Sequence, residues 1–263
     1  MSEFKNLSSA LRPGMIRRMA KDKGVDIDHL PTKEELEKQT IEKAHQSIKA
    51  TRGKFYFNQS VWGGRPLHFT FEQWKPALQK DEKTAREIGK QAFMLAKKLQ
   101  TDVFNVLLIG SKGTGKTSLG LAILNELSKA GKSIMFVSTA ELSDLISKQY
   151  DYSDVKPQLE KIERAMREVD VLLLDDFGTE GGMKVDNVVR PVRKDMQDFM
   201  YRVANVRIDF DKNKVEKPTI ITTNNLQEDI DRMYNQKAVS RLYPKSKEHR
   251  ITFNKMGDVR NVD

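Results

Sequence analysis

From about residue 80 onward, apolar residues fall along the chain in two alternating rhythms. Short unbroken runs, Val106-Leu107-Leu108-Ile109, Val171-Leu172-Leu173-Leu174 and Ile220-Ile221, read as strands buried on both faces. Between them apolar positions recur at helical spacing, as at Leu119, Ala122, Ile123 and Leu127. The pattern predicts a helix over 81–100, a strand over 105–109, a helix over 118–130 and a strand over 133–138. Helices over 140–149 and 156–167 follow, then a strand over 169–174, a loop over 177–187 and a long helix from about 188 to 205. An exposed Asp- and Lys-rich loop over 206–217, a strand over 219–222, short helices and a strand over 249–253 complete the order. This alternation predicts an α/β fold, a parallel sheet with helices on both faces.

The first 80 residues are patterned differently. One helix is predicted over 8–23, interrupted around Pro13-Gly14. A second starts after Pro31, with Thr32 as N-cap and Glu35 completing a capping box, and runs to about residue 50. Its apolar stripe (Leu36, Ile41, Ala44, Ile48) is thin, so it reads as a small domain or as a docking element that orders on a partner. Residues 55–76 then gather Phe55, Tyr56, Phe57, Trp62, Phe69, Phe71 and Trp74 around Gly63-Gly64 and Pro66, as a short hairpin or extended lead-in. Those rings are either a seam packed on the main domain or a partner-binding, base-stacking surface. The predicted division is 1–54 for a mainly helical partner-binding region, 55–80 for an aromatic lead-in and 81–263 for the main domain.

Composition narrows the function classes. Without cysteine there is no disulfide framework and no thiolate metal site, and His29, His45, His68 and His249 form no ligand pair at helical spacing. The N-terminus lacks an apolar signal core and no apolar run reaches membrane-spanning length, so a soluble, cytoplasmic chain with no membrane partner is expected. A formal net charge of +9 points to a polyanionic partner, most simply nucleic acid.

The chemistry is concentrated in two motifs. Gly110-Ser111-Lys112-Gly113-Thr114-Gly115-Lys116-Thr117 is a complete phosphate-binding loop, set between a predicted strand and the helix that begins near Ser118. Its glycines let successive N–H groups point at phosphate oxygens, and the helix start adds partial positive charge. Lys116 is expected to reach the β- and γ-phosphates of a bound nucleoside triphosphate, and the Thr117 hydroxyl to ligate Mg²⁺. Downstream, the 169–174 strand delivers Asp175 and Asp176 to its C-terminal end, where ligands bind in an open α/β sheet. Asp175 suits Mg²⁺ as a hard oxygen ligand, and Asp176 suits orientation of an attacking water.

Two further polar positions fit the same chemistry. Asn224 ends the 219–222 strand and either touches the γ-phosphate and lytic water or makes an Asx-turn. Arg241, in Ala238-Val239-Ser240-Arg241-Leu242, lies on a short amphipathic helix with its cation expected to project freely. Supplied to a neighbouring subunit, such a cation would neutralise transition-state charge; otherwise it is simply solvated.

The ordered set Gly110–Thr117, Leu172–Gly178, Ile221-Thr222-Thr223-Asn224 and Val239-Ser240-Arg241-Leu242 resembles bacterial and phage replicative helicase loaders of the DnaC/DnaI type. It is similar, more distantly, to IstB-type transposition ATPases. The resemblance covers about residues 80–260 and implies an AAA+ P-loop ATPase using ATP and Mg²⁺. It makes Asn224 the sensor-1 residue and Arg241 the arginine finger, and Arg260 matches a terminal arginine of the family. It also implies contact with single-stranded DNA, which falls here on Lys148, Tyr150 and Tyr152; the chemical alternative is that the tyrosines pack a helix end.

The chain departs from the family pattern in several places. Many AAA+ proteins have Glu where Asp176 stands, so slow, switch-like turnover is expected. No full helical lid is expected after Arg241. Residues 1–54 have no Cys/His zinc module and would grip a helicase hexamer through helices alone. The implied function is ATP-dependent loading of a ring-shaped replicative helicase on single-stranded DNA by a nucleotide-bridged oligomer. The alternatives are a transposition helper ATPase acting on duplex DNA and a nucleotide-gated adaptor or inhibitor of a host helicase.

Overall fold

The computed structural model describes residues 22, 32–182 and 189–259, so the helix expected over 8–23 lies outside the described residues apart from Asp22. The chain divides into two units, residues 1–48 and 49–263. Helix α1 (Lys33–Asn58) opens on the expected capping box: the Thr32 N–H donates to Glu35 Oε2 at 2.8 Å and the Glu35 N–H to Thr32 Oγ1 at 3.2 Å. It runs well past the expected end near residue 50. Phe55, Tyr56 and Phe57 form its last turns, and burial of Tyr56, whose hydroxyl reaches Glu168 Oε2 at 3.1 Å, offsets the cost of Gly53 in the helix.

No hairpin follows α1 in residues 59–76. Val61 instead makes a single parallel bridge to Val137, and the Trp62 ring stacks on Phe136 at 4.1 Å between centroids. Trp74 donates from Nε1 to the Ala85 carbonyl at 3.0 Å, and Phe71 meets Phe93 edge-on at 5.3 Å. These rings are the seam of the first alternative. Their partners lie as far as 74 positions along the chain, beyond reach of local pattern.

The main unit continues through α2 (Glu82–Thr101), β1 (Val106–Gly110), α3 (Lys116–Lys129), β2 (Ile134–Ser138), α4 (Thr139–Lys148), α5 (Val155–Glu168) and β3 (Val171–Asp175). Helix α6 (Lys194–Val206), the two-residue strands β4 (Ile208–Asp209) and β5 (Lys214–Val215), and β6 (Thr219–Thr223) follow. Helices α7 (Gln227–Met233) and α8 (Gln236–Leu242) and strand β7 (Arg250–Phe253) complete it. Among the described residues, one five-stranded parallel sheet runs in the order β2-β3-β6-β1-β7. Alternate side chains feed two cores. Leu107, Leu172, Leu174 and Ile221 join α4, α5 and α6 on one face, while Val106, Leu108, Leu173 and Ile220 join α2 and α3 on the other. Both faces are therefore covered, as the unbroken apolar runs require. No helix among the described residues is long and apolar enough to cross a membrane.

Two elements differ from expectation. Helix α6 begins at Lys194 rather than near 188, because Pro191 disfavours helical backbone at Arg190, and the Val192 N–H is drawn to the Met233 carbonyl at 2.9 Å. The segment expected as an exposed loop over 206–217 contains the β4–β5 hairpin, and its root, Arg207, is 1% exposed. The Arg207 guanidinium donates to Thr219 Oγ1 (3.0 Å) and to the carbonyls of Met166 (2.8 Å), Val169 (3.0 Å), Asp170 (3.4 Å) and Pro218 (2.6 Å). Burial pushes its pKa down to about 9, which leaves it a cation at neutral pH. Arg207 thus ties the end of α5 to the starts of β3 and β6.

Arg207→Met should destabilise the chain by about 3 kcal/mol or more, because it strands buried carbonyls, and Arg207→Lys should recover little of this for want of the planar fork. Urea unfolding of the three proteins checks it; a loss under 1 kcal/mol for the Met variant would contradict the assignment.

Candidate functional site

A parallel sheet carries the C-terminal ends of its strands to one edge, and β6 lies between β1 and β3, so Gly110, Asp175 and Thr223 end side by side. Gly115 opens α3 at φ 92°, in the left-handed region, and a Cβ there would lie 2.6 Å from the Trp74 ring, so both conformation and space require glycine. At Gly113 (φ 75°) a Cβ would lie 1.9 Å from the Asp258 carboxylate. Within the loop, the Thr114 hydroxyl and the Lys116 ammonium both donate to the Ser111 carbonyl, at 2.9 and 2.6 Å. Lys112 is exposed, Lys116 is buried, and Ser118 lies half-buried in the first turn of α3.

The second motif joins the first directly. Thr117 Oγ1 donates to Asp175 Oδ1 at 2.9 Å, and Thr222 Oγ1 donates to the same oxygen at 2.6 Å. Asp175 is 7% exposed. Burial pushes its pKa up to about 6, helped by neighbouring Asp176 and opposed by the Thr222 and Thr117 hydroxyls and by Lys116. Asp176 takes a left-handed backbone at φ 54°, a conformation that costs a non-glycine residue about 1–2 kcal/mol. It is held there by its N–H, which donates to Thr222 Oγ1 (2.9 Å), and by its carbonyl, which accepts from the Thr179 N–H (3.0 Å).

Asn224 lies beside this pair. Its Nδ2 faces Asp176 Oδ1 at 3.5 Å, while its buried Oδ1 has no partner among the described residues. The turn chemistry belongs to its neighbours instead: the Asn225 N–H bonds Thr223 Oγ1 at 3.1 Å and the Thr223 hydroxyl bonds the Phe177 carbonyl at 2.6 Å. Of the two sequence alternatives for Asn224, the structure brings its side chain to the acids. An acceptor left open beside two carboxylates and two hydroxyls fits a bound cation with its waters.

Sequence reasoning missed several groups of this site. The Glu180 carboxylate accepts from Thr139 Oγ1 (2.8 Å), from the Gly178 N–H (3.0 Å) and from the Tyr234 hydroxyl, and burial raises its pKa. Tyr234 in turn stacks on Phe177 at 4.6 Å. The signal available was a glutamate four positions after Asp176. Gln79 Nε2 reaches the Thr114 carbonyl at 3.4 Å and the Val259 N–H bonds the Gly113 carbonyl at 3.1 Å, contacts from distant parts of the sequence that carry no local signal.

Arg241 is placed elsewhere. Its carbonyl accepts from Asn105 Nδ2 at 2.7 Å, and Asn105 precedes β1. Five residues of extended strand then separate that end of the sheet from Gly110, about 16 Å away. Its cation does not project freely as expected: the guanidinium carbon lies 5.2 Å from the Tyr201 ring centre and 5.1 Å from that of Phe210, and Nε has no acceptor among the described residues. Lys148 is paired with Asp144 at 2.5 Å. Tyr150 and Tyr152, 70% and 57% exposed, leave their rings open rather than packing a helix end. Arg260 lies outside the described residues.

A phosphate loop after β1, an acid pair after β3 and a polar strand end between them define a P-loop ATPase of the AAA+ class. The chain belongs to the IstB-like ATP binding protein family, whose model matches residues 66–239. Uncharacterized protein YdaV of Escherichia coli (strain K12) is 35% identical over 99 residues, 38% of this chain and 39% of that protein. Replicative helicase loader DnaC of the same strain is 23% identical over 204 residues, 77% of this chain and 73% of DnaC. The crystal structure of DnaI shares the fold, with a TM-score of 0.51 at 19% identity over 75% of this chain and 96% of that one.

The burial of Asp175 generates a prediction. Its carboxylate is destabilised in the folded chain relative to the unfolded one, so Asp175→Asn should stabilise the nucleotide-free protein by about 1–3 kcal/mol at pH 7.5 while abolishing metal-dependent turnover. The gain should be full above about pH 6 and fade progressively as the parent's Asp175 takes up its proton, disappearing near pH 4. Unfolding curves at several pH values check it; a variant less stable than the parent at pH 7.5 would refute it.

Proposed function

We propose that this chain is an ATP-dependent loader that places a ring-shaped replicative helicase hexamer on single-stranded DNA in the bacterial cytoplasm. The observation that carries this reading is the separation of Arg241 from its own phosphate loop by the length of β1. A cation at that edge serves hydrolysis in a neighbouring copy, so the working form is a nucleotide-bridged oligomer. The 204-residue similarity to a replicative helicase loader supports the kind of work such an oligomer does.

Each residue has a role in this reading. Thr117 and Asp175 would hold Mg²⁺, two hard oxygen ligands for an ion that keeps waters and phosphate oxygens as its remaining ligands. When bound, Mg²⁺ would withdraw charge from the β- and γ-phosphates. Lys116 turns its ammonium from the Ser111 carbonyl to the phosphates, over the N–H groups of residues 110–118. Asp176 and the open Oδ1 of Asn224 orient the attacking water, and Arg241 of the next copy neutralises the charge of the transferring phosphoryl group. Residues 1–54 grip the helicase, residues 55–80 lead into the ATPase domain over 81–263, and Lys148, Tyr150 and Tyr152 contact DNA.

Two variants test the shared site. Lys116→Ala should lose turnover, whereas Arg241→Ala should keep ATP binding and lose the rise of specific turnover with protein concentration. An equimolar mixture should regain turnover that neither shows alone, since an intact cradle then meets an intact arginine. Parental turnover by Arg241→Ala at every concentration would remove the finger. Native mass spectrometry with a replicative helicase, with and without ATP, tests the partner; ATP-driven assembly on duplex DNA and no helicase complex would replace the loader with a transposition helper.

A further inference from the structure

Two aromatic rings hold the cation that the proposed mechanism gives to the neighbouring copy. Tyr201 on α6 and Phe210 in the turn between β4 and β5 each place a ring centre within 5.2 Å of the Arg241 guanidinium carbon, inside the range for cation–π attraction. Nη1 donates back to the Lys237 carbonyl one turn earlier on α8, and Nε finds no acceptor among the described residues. No carboxylate pairs with Arg241 among the described residues. Phe210 is 58% exposed and takes no part in either core, so packing does not account for a large apolar ring at this place. Its hairpin is nevertheless fixed, by the buried Arg207 at its root and by the Asp209–Lys212 pair at 2.9 Å in its turn.

We infer that Tyr201 and Phe210 are positioning residues that form an aromatic clamp on Arg241, setting the guanidinium before a neighbouring copy's nucleotide reaches it; this rests on the reading of Arg241 as acting between copies. A solvated arginine loses rotamer freedom when it meets a phosphate. In the clamp that loss is taken on folding. Rings also order the cation without neutralising it, whereas an Asp or Glu in their place would compete with the phosphate for the same donors.

The test uses the full chain and compares the parent with Phe210→Ala, Phe210→Tyr and Arg241→Ala at high protein concentration. ATP turnover is the activity readout, and affinity for a fluorescent ATP analogue and melting temperature are controls. Phe210→Ala should lower kcat about tenfold with the nucleotide affinity and KM of the parent, and Phe210→Tyr should restore kcat to within about twofold. If Arg241→Ala loses turnover while Phe210→Ala keeps the parent's kcat, the clamp is overturned and the finger stands. Parental kcat in Arg241→Ala overturns both. A Phe210→Ala variant with lowered melting temperature and affinity, not rescued by Tyr, would make Phe210 a structural residue and overturn the clamp.

Discussion

The hydroxyl of Thr222 donates to the carboxylate of Asp175 and accepts from the backbone N–H of Asp176, so one side chain on β6 sets both acids delivered by β3. It can do so because β6 is inserted between β1 and β3, in register with each. The same insertion brings Thr117, at the start of α3, within 2.9 Å of Asp175 although β1 and β3 are not neighbours. A parallel ladder fixes which strand ends meet, and the apolar runs of β1, β3 and β6 fix the ladder by needing cover on both faces. The chemistry of the site is thus a consequence of strand order, which Arg207 secures at the other edge by tying the start of β3 to that of β6.

That scaffold carries several unfavourable features at once. Asp175 is a carboxylate displaced from water, Asp176 sits in left-handed backbone, and Asn224 Oδ1 and Arg241 Nε are buried without partners among the described residues. Each costs a chain on its own on the order of 1–3 kcal/mol. Three of the four would be met by the groups the proposed cycle brings: a divalent cation at Asp175, a water at Asn224, and another copy's phosphate at the Arg241 guanidinium. Arg207 is the contrast, equally buried yet supplied with five acceptors of its own chain, and so structural in character.

The parts legible in the sequence were those whose signal is local. The phosphate loop, the acid pair at the end of β3 and Asn224 at the end of β6 follow from strand–loop–helix order within a few residues. The start of α6 was misplaced because the helical pattern was weighed above Pro191. The 206–217 segment concealed Arg207 because charge was read as exposure, when the five acceptors that make its burial tolerable come from two other stretches of the chain, 166–170 and 218–219. The Trp62–Phe136 stack, the Glu180–Tyr234 bond and the approach of Asp258 to Gly113 join positions 54 to 145 residues apart, and no periodicity encodes such pairs. Arg241 combined both cases: its place on a short amphipathic helix was readable, and the rings that hold it were not.

The backbone at Asp176 bears on the speed of the enzyme. Aspartate is one methylene shorter than the glutamate common in this class, so bringing its carboxylate nearer to a lytic water requires the main chain to move. Two hydrogen bonds oppose that movement, one from the Asp176 N–H to Thr222 Oγ1 and one from the Thr179 N–H to the Asp176 carbonyl. Reach on the acid side is therefore limited by the fold, and in the proposed oligomer charge neutralisation on the phosphate side comes from a second copy. Under the proposed function, a site restrained in both respects is expected to turn over slowly in isolation and to respond chiefly to assembly, the behaviour required of a switch whose nucleotide state reports whether its neighbours are in place.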